Sequence, residues 1–182
     1  LESDDATTRL NVANALGEIG PASINTLLAV LRDKNSRVSY TDQALLRIGT
    51  SAIPAIIGAV REDGNKANSR LMKVFYSLFR RVEGDDSEFR SLLSVALTDK
   101  RPFIREKFVF ALGILSERSK DARELLILQL DDSDDNVKKT VLKRLGHLGQ
   151  RAKAAGPAIK QLRNDPALGP AARDALQRIG LE

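Results

Sequence analysis

Apolar residues recur along this chain with the spacing of one buried helix face, and the spacing returns six times. In the clearest copy they stand at offsets 0, 4, 7, 8 and 11 from the first apolar position. These offsets mark one stripe of a helix with 3.6 residues per turn. That copy consists of Ile104, Phe108, Ala111, Leu112 and Leu115. The pattern therefore predicts six amphipathic helices.

The six copies keep a common register. Offset 8 falls at residues 16, 45, 79, 112, 145 and 176, so successive copies are 29, 34, 33, 33 and 31 residues apart. Such periods are typical of stacked helical units, each of which buries its apolar face against its neighbours. The second copy is the weakest, because Arg37 and Thr41 replace its first two apolar residues.

A second apolar stripe lies between successive copies and ends on an acidic residue. The carboxylates at these ends are Asp33, Asp63, Asp99, Asp132 and Asp165. Asp suits this place because its carboxylate accepts the free N–H groups that open the next helix. Prolines stand near the predicted helix starts, where they are tolerated: Pro21, Pro54, Pro102, Pro157, Pro166 and Pro170. The chain is therefore predicted to alternate helix, short acidic turn and helix.

Glycines mark the ends of the copies. A left-handed residue is favoured after a helix end, and glycine stands there at Gly20, Gly49, Gly149 and Gly180. Three more glycines lie inside the last helical turn, at Gly17, Gly113 and Gly146. We predict that these three let a neighbouring helix come close.

Five of the six copies end on a similar motif, which reads ALGEIG at 15–20 and has variants at 44–49, 111–116, 144–149 and 175–180. This ending, preceded by Leu-x-Asp, resembles that of HEAT repeats. It is most similar to the short HEAT-like repeats of phycobilin lyases and bacterial HEAT-repeat proteins. Together the pattern and the resemblance predict an all-α, right-handed α-α superhelix of about five hairpins plus a terminal helix. It would be a single solenoid over residues 1–182, with repeat-ending turns near 20, 49, 83, 116, 149 and 180.

The resemblance also implies roles for particular residues. Asp33, Asp99 and Asp132 would pair with basic residues between repeats, as a stabilising ladder. The second helices of the hairpins would line a concave side.

Composition narrows the function classes. Lys and Arg number 29 against 24 Asp and Glu, giving a net charge of +5, which suits a soluble protein with nucleic acid or an acidic protein as a candidate partner. Without Cys and with a single His, disulfides and zinc sites of Cys and His are disfavoured. We expect no cofactor. Apolar runs such as 109–115 are too short to span a bilayer.

The chain begins at Leu1 without Met, so we expect a fragment or a processed form. We further expect a monomer in isolation and a cytoplasmic location.

Three candidate sites have simpler structural interpretations. DDSDDN at 131–136 spaces its oxygens like a calcium loop, but Val137 and Lys143 stand where that loop needs Gly and Glu. His147 lies at a helix end without a catalytic partner motif, and Asp85 and Asp86 are interpreted as a helix cap. We therefore predict no catalytic residue and no metal site.

Charge is distributed unevenly along the chain. Residues 1–63 carry a net charge of −2, whereas residues 133–182 carry +5. Between residues 136 and 164 the chain has eight Lys or Arg and no acid. This stretch, 138–163, is a candidate for binding an anion or nucleic acid, through Lys138, Lys139, Lys143, Arg144, Arg151 and Lys153, with Lys160 and Arg163 completing it. The alternative is the polar end of a solenoid, which the lack of stacking aromatics in this stretch favours.

The second candidate is the surface of the second helices beside the buried stripe. Its predicted protein-contacting residues are Tyr40, Arg47, Tyr76, Arg81, Lys107, Phe110 and Lys143. Tyr and Arg are favoured at interfaces. In the fourth copy Val109, Phe110 and Ile114 are apolar although they lie outside the buried stripe. Such extra apolar residues fit either a contact surface or a helix that is buried all round.

Three hypotheses of function follow. The first is a non-catalytic scaffold that binds a protein or peptide on the concave face. The second is electrostatic binding of nucleic acid through the basic 138–163 face. The third, an enzyme component like a bilin lyase, rests on the resemblance alone, and a shared repeat does not imply a shared function.

Overall fold

A computed structural model describes residues 5–33, 40–67, 69–84 and 86–181 of the protein. Throughout these residues, every regular element is an α-helix or a short 3-10 turn. The α-helices are α1 (Ala6–Ile19), α2 (Ile24–Arg32), α3 (Thr41–Ile48), α4 (Ile53–Asp63), α5 (Ser69–Phe79), α6 (Ser87–Leu97), α7 (Pro102–Leu115), α8 (Lys120–Leu128), α9 (Asp135–Leu148), α10 (Gly156–Gln161) and α11 (Gly169–Ile179). Arg37 and Asp85, which entered the predictions, lie outside the described residues.

The helices form two compact units, residues 1–84 and 85–182. In the first unit α1 is followed by the hairpins α2–α3 and α4–α5, and in the second the hairpins are α6–α7, α8–α9 and α10–α11. Within each unit the second helices pack side by side, α1 with α3 and α3 with α5, then α7 with α9 and α9 with α11. The predicted all-α fold of five helical hairpins plus a terminal helix is confirmed, with the hairpins packed on one another within each unit. Its continuation as one solenoid over 1–182 stays a prediction.

The predicted apolar stripe forms the core of the hairpins. In the third, fourth and sixth copies all five stripe residues are buried, from Leu71 to Val82, from Ile104 to Leu115 and from Leu168 to Ile179. The first copy differs, because its stripe residue Ile19 is 59% exposed while Ala13 and Gly17 are buried. Among the described residues α1 has no first helix to pair with as a hairpin. The buried side of α1 is therefore the side that faces α3.

Helix ends follow the predicted glycine and proline positions. Gly49 ends α3 with φ of 82°, a left-handed conformation that other residues adopt at a cost.

Residues Thr41–Lys66, which include Gly49, form the part of the described chain that is long and apolar enough for a membrane span by length and composition. Gly49 divides it into α3 and α4, and 44% of its most apolar window is buried inside the structure. We interpret it as core helices of the first unit.

Ion pairs connect successive repeats. Asp132, in the turn before α9, accepts from Arg105 Nε and Nη2 of α7, at 2.7 Å each. Burial alone would raise the pKa of Asp132, but hydrogen bonds from Arg105 and the Asp134 backbone lower it below its ordinary 3.8. The carboxylate of Asp99, another member of the implied ladder, pairs with Arg101 two residues away at 2.8 Å, and its pairing between repeats stays a prediction. Its backbone carbonyl instead accepts from Arg105 Nη1 at 2.9 Å.

Candidate protein-binding surface on the second helices

Arginine side chains lie over the glycines in the last turns of the second helices. A Cβ on Gly17 of α1 would stand 3.1 Å from Arg47 Cδ of α3. A Cβ on Gly146 of α9 would stand 3.1 Å from Arg178 Cδ of α11 and 3.3 Å from the Cα of Ala175. The glycines therefore do allow a close approach, and what approaches is mainly an arginine of the next repeat.

Arg47 and Arg81 make polar contacts to the preceding second helix in the first unit. Arg47 Nη2 lies 3.1 Å from Glu18 Oε1, and its Nη1 donates to Asn14 at 3.4 Å. Arg81 Nη1 donates to the backbone carbonyl of Leu46. Both side chains are exposed, yet part of their hydrogen-bonding capacity holds neighbouring helices together. Their assignment to partner binding stays a prediction.

Phe110 of α7 is covered by an arginine of α9. The guanidinium of Arg144 lies 4.4 Å from the centre of the Phe110 ring, a cation–π geometry. Arg144 also approaches Glu117 Oε1 at 3.7 Å. Val109 and Ile114 are buried, so for these two the interpretation of a helix buried all round is correct. The Phe110 ring is half-buried and packs within the repeat stack.

The tyrosines of the first unit are half-buried. Tyr40 precedes α3 with φ of 81°, the left-handed conformation that is unfavourable for a residue with a side chain. The ring centre of Tyr76 lies 5.2 Å from that of Phe75. Neither geometry identifies a partner.

Lys107 and Lys143 complete the predicted contact set. Lys107 is half-buried on α7, whereas Lys143 is exposed on α9. Within the described ranges neither lysine has an ion pair.

The structure divides the basic stretch 138–163. Lys138 pairs with Asp135 at 3.5 Å, and Arg144 is largely buried over Phe110. Lys139 and Lys143 are exposed on the second helix α9, whereas Lys160 is exposed on the first helix α10. Arg151 and Lys153 are exposed in the 3-10 turn between these helices. The stretch therefore spans both layers of its hairpins instead of forming one helical face.

The turn before α9 is held by its own aspartates. Asp134 caps α9 by accepting from the N–H groups of Asn136 and Val137, at 2.9 and 3.2 Å. Asp132 accepts from the N–H of Asp134 at 2.8 Å and pairs with Arg105. In the part of the chain that the structure describes, no group of His, Asp and Glu has the arrangement of a metal site.

The other two candidate sites also have structural roles. Nδ1 of exposed His147 lies 2.7 Å from the carbonyl oxygen of Lys143. Asp86 occupies the N-cap position of α6, as predicted, but its buried carboxylate accepts no hydrogen bond from the N–H groups at the start of that helix. It accepts instead from Arg90 Nε at 2.8 Å, and Arg90 reaches Asp121 at 3.2 Å.

A groove and an ion pair at the first helices of the first unit are among the features that were not predicted. Arg32 at the end of α2 donates to Asp63 at the end of α4, with Nε and Oδ1 2.9 Å apart. Beside this pair an open groove of about 270 Å³ runs between the two first helices. Small residues such as Ala29, Gly58 and Ala59 line it. The sequence signal for this pair was the return of an acid at the ends of successive first helices, since Asp33 and Asp63 lie 30 residues apart.

A comparison with protein families agrees with the repeat architecture. Residues 8–33 match the model of the PBS lyase HEAT-like repeat family. A crystal structure of an engineered protein from the Northeast Structural Genomics Consortium has 17% sequence identity to this chain and a TM-score of 0.47. That similarity covers 98% of this chain and 92% of the other. A comparison with curated proteins finds no match.

Proposed function

We propose that this chain of HEAT-like repeats is a non-catalytic scaffold that binds a protein or peptide on the exposed side of its second helices. The supporting observation is the different use of the two sides of these helices. One side is buried in the hairpin core, and the other carries exposed polar side chains in successive repeats, among them Gln43, Arg47, Lys139 and Lys143. Repeats that stack in this way present an extended surface to a partner.

The basic stretch supports nucleic-acid binding less well. A single-strand binding surface combines a positive groove with aromatic rings on which bases stack. The two half-buried rings of α7 already have cationic neighbours, since Arg144 covers Phe110 and the Arg101 guanidinium lies 5.9 Å from the Phe103 ring centre. The lyase in the family's name does not carry over, because a repeat is a structural unit and not an active site.

The test uses four single variants, each with one bulky residue. In each unit one variant alters a second helix and the other alters a first helix. Gln43→Trp on α3 and Lys143→Trp on α9 obstruct the second helices. Thr26→Trp on α2 and Lys160→Trp on α10 are the controls, matched in unit and in charge. All four residues are exposed, so we expect similar melting temperatures.

Each variant is used for affinity capture from a native lysate, and retained proteins are identified by mass spectrometry. We expect a second-helix variant to lose partners that its control retains. Retention of the same proteins by all four variants, or loss only through the α2 or α10 variant, would overturn the proposal.

A further inference from the structure

A row of exposed basic residues runs along α9 and past its end. Lys139, Lys143, His147 and Arg151 follow one another at intervals of four residues, and all four are exposed. Residues four apart lie on the same side of a helix, so those within α9 form one line. We call these four residues the α9 basic line.

The two lysines of the α9 basic line are not held in ion pairs within the chain. Across residues 5–33, 40–67, 69–84 and 86–181, neither Lys139 nor Lys143 makes an ion pair. Like charges four residues apart on a helix destabilise it. A ligand that carries negative charge would remove this repulsion.

Acids on α9 and on the neighbouring helices already have other partners. Asp135, four residues before Lys139, lies 3.5 Å from Lys138. Glu106 on α7 accepts from Thr140 Oγ1 at 3.0 Å, and Glu117 approaches Arg144 at 3.7 Å. Asp174 on α11 accepts from Arg178 Nε at 2.9 Å.

The first unit differs at the corresponding helices. There Arg47 is paired with Glu18 at 3.1 Å, and Lys73 lies 4.0 Å from Asp42. Uncompensated lysines on adjacent turns of a second helix are thus a feature of α9.

We infer that the α9 basic line binds an extended acidic peptide segment with carboxylates on alternate residues. Four residues of α-helix rise by about 6 Å, and two residues of extended chain span about 6.6 Å. A segment Glu-x-Glu lying along α9 would therefore place its carboxylates beside Lys139 and Lys143 together. The covered rings of Phe103 and Phe110 favour a peptide over nucleic acid. This inference rests on the proposed function, whose partner class it specifies.

The test measures fluorescence anisotropy with three labelled probes. The first is a peptide of alternating Glu and Ser, and the second has Gln in place of each Glu. The third is a single-stranded oligothymidine of similar charge. The proteins are the complete chain and two charge-matched double variants, Lys139→Gln with Lys143→Gln and, as the control, Lys160→Gln with Arg163→Gln.

We expect the alternating-Glu peptide to bind better than the Gln peptide and the oligothymidine. The α9 double variant should weaken its binding about two- to thirtyfold, since it removes two exposed ion pairs that contribute about 0.2–1 kcal/mol each. The control double variant should bind like the unmodified chain, because Lys160 and Arg163 lie at α10 and its C-terminal turn.

Equal weakening by both double variants would show a dependence on net charge alone and overturn the inference. Stronger binding of oligothymidine, or no binding of the acidic peptide, would overturn it as well. The tryptophan variants of α3 and α9 test the proposed function separately, since they obstruct a partner of any charge.

Discussion

Removing the carboxylate of Asp132 should destabilise the second unit far more than removing that of Asp174. The side chains of Arg105 and Asp132 are only 10% and 5% exposed, and two charge-assisted hydrogen bonds of 2.7 Å join them. Asp132→Ala leaves the Arg105 guanidinium buried, with the Asp99 carbonyl oxygen at 2.9 Å and the Ser133 hydroxyl at 3.4 Å as its remaining partners but no counter-charge of its own. Loss of one partner from a buried ion pair costs about 3–5 kcal/mol.

Arg178 and Asp174 provide the matched control. They also form an Arg–Asp pair, at 2.9 Å, but their side chains are 51% and 52% exposed. An exposed helical pair of this kind contributes about 0.3–0.5 kcal/mol. Urea unfolding of Asp132→Ala and Asp174→Ala, followed by circular dichroism, gives both free energies of unfolding.

A double variant separates the pair itself from the buried charge. Arg105→Met combined with Asp132→Ala removes the orphaned guanidinium and should recover part of the lost stability, because a buried pair is often replaceable by apolar groups. Similar losses in Asp132→Ala and Asp174→Ala would refute the reasoning that burial determines the contribution of the pair.

Four further outcomes are expected. Because the pKa of Asp132 is lowered in the folded state, its stabilisation is present above about pH 4 and is lost as the pH falls through the folded pKa. Acid titrations of unfolding should thus show a smaller loss in Asp132→Asn than in the unmodified chain. Gly146→Ala should be less stable than Gly58→Ala by about 1–3 kcal/mol in urea unfolding, since both gain helix propensity but only a Cβ at position 146 meets neighbouring atoms within 4 Å. Tyr40→Gly should be more stable than Tyr40→Ala by about 1 kcal/mol in urea unfolding, since both lose the half-buried ring but only Gly adopts the left-handed conformation without strain; equal stabilities would contradict this. Phe110→Ala should lower the melting temperature because Arg144 loses its ring contact, and an unchanged melting curve would count against that contact.

The sequence predicted the hairpins because their cores depend on apolar residues at regular spacing. Leu71, Phe75, Leu78 and Phe79 are buried although their copy lacks the repeat's glycines. The stripe alone thus suffices to identify the helix and its buried side. It failed for α1, where the exposure of Ile19 depends on which helices lie beside it and not on the spacing within it.

The candidate surface was harder to predict, because one arginine can either bind a partner or pack on its own chain. Arg47 and Arg178 each stand at offset 10 from the first stripe residue of their copy. Their contacts, Gly17 and Gly146 respectively, each stand at offset 9 of the preceding copy. Only the side-by-side packing of the second helices shows that these offsets meet. The exposed positions of Lys139 and Lys143, by contrast, follow from the helical register of α9.

Lysine footprinting of a complex between this chain and a captured protein tests the binding surface most directly. The chain is acetylated alone and in the complex, and the modification of each lysine is quantified by mass spectrometry. For a partner on the second unit, we predict that Lys139 and Lys143 on α9 become protected while Lys120 on α8 and Lys160 on α10 keep their reactivity. Protection of Lys120 and Lys160 with unchanged labelling of Lys139 and Lys143 would contradict the account.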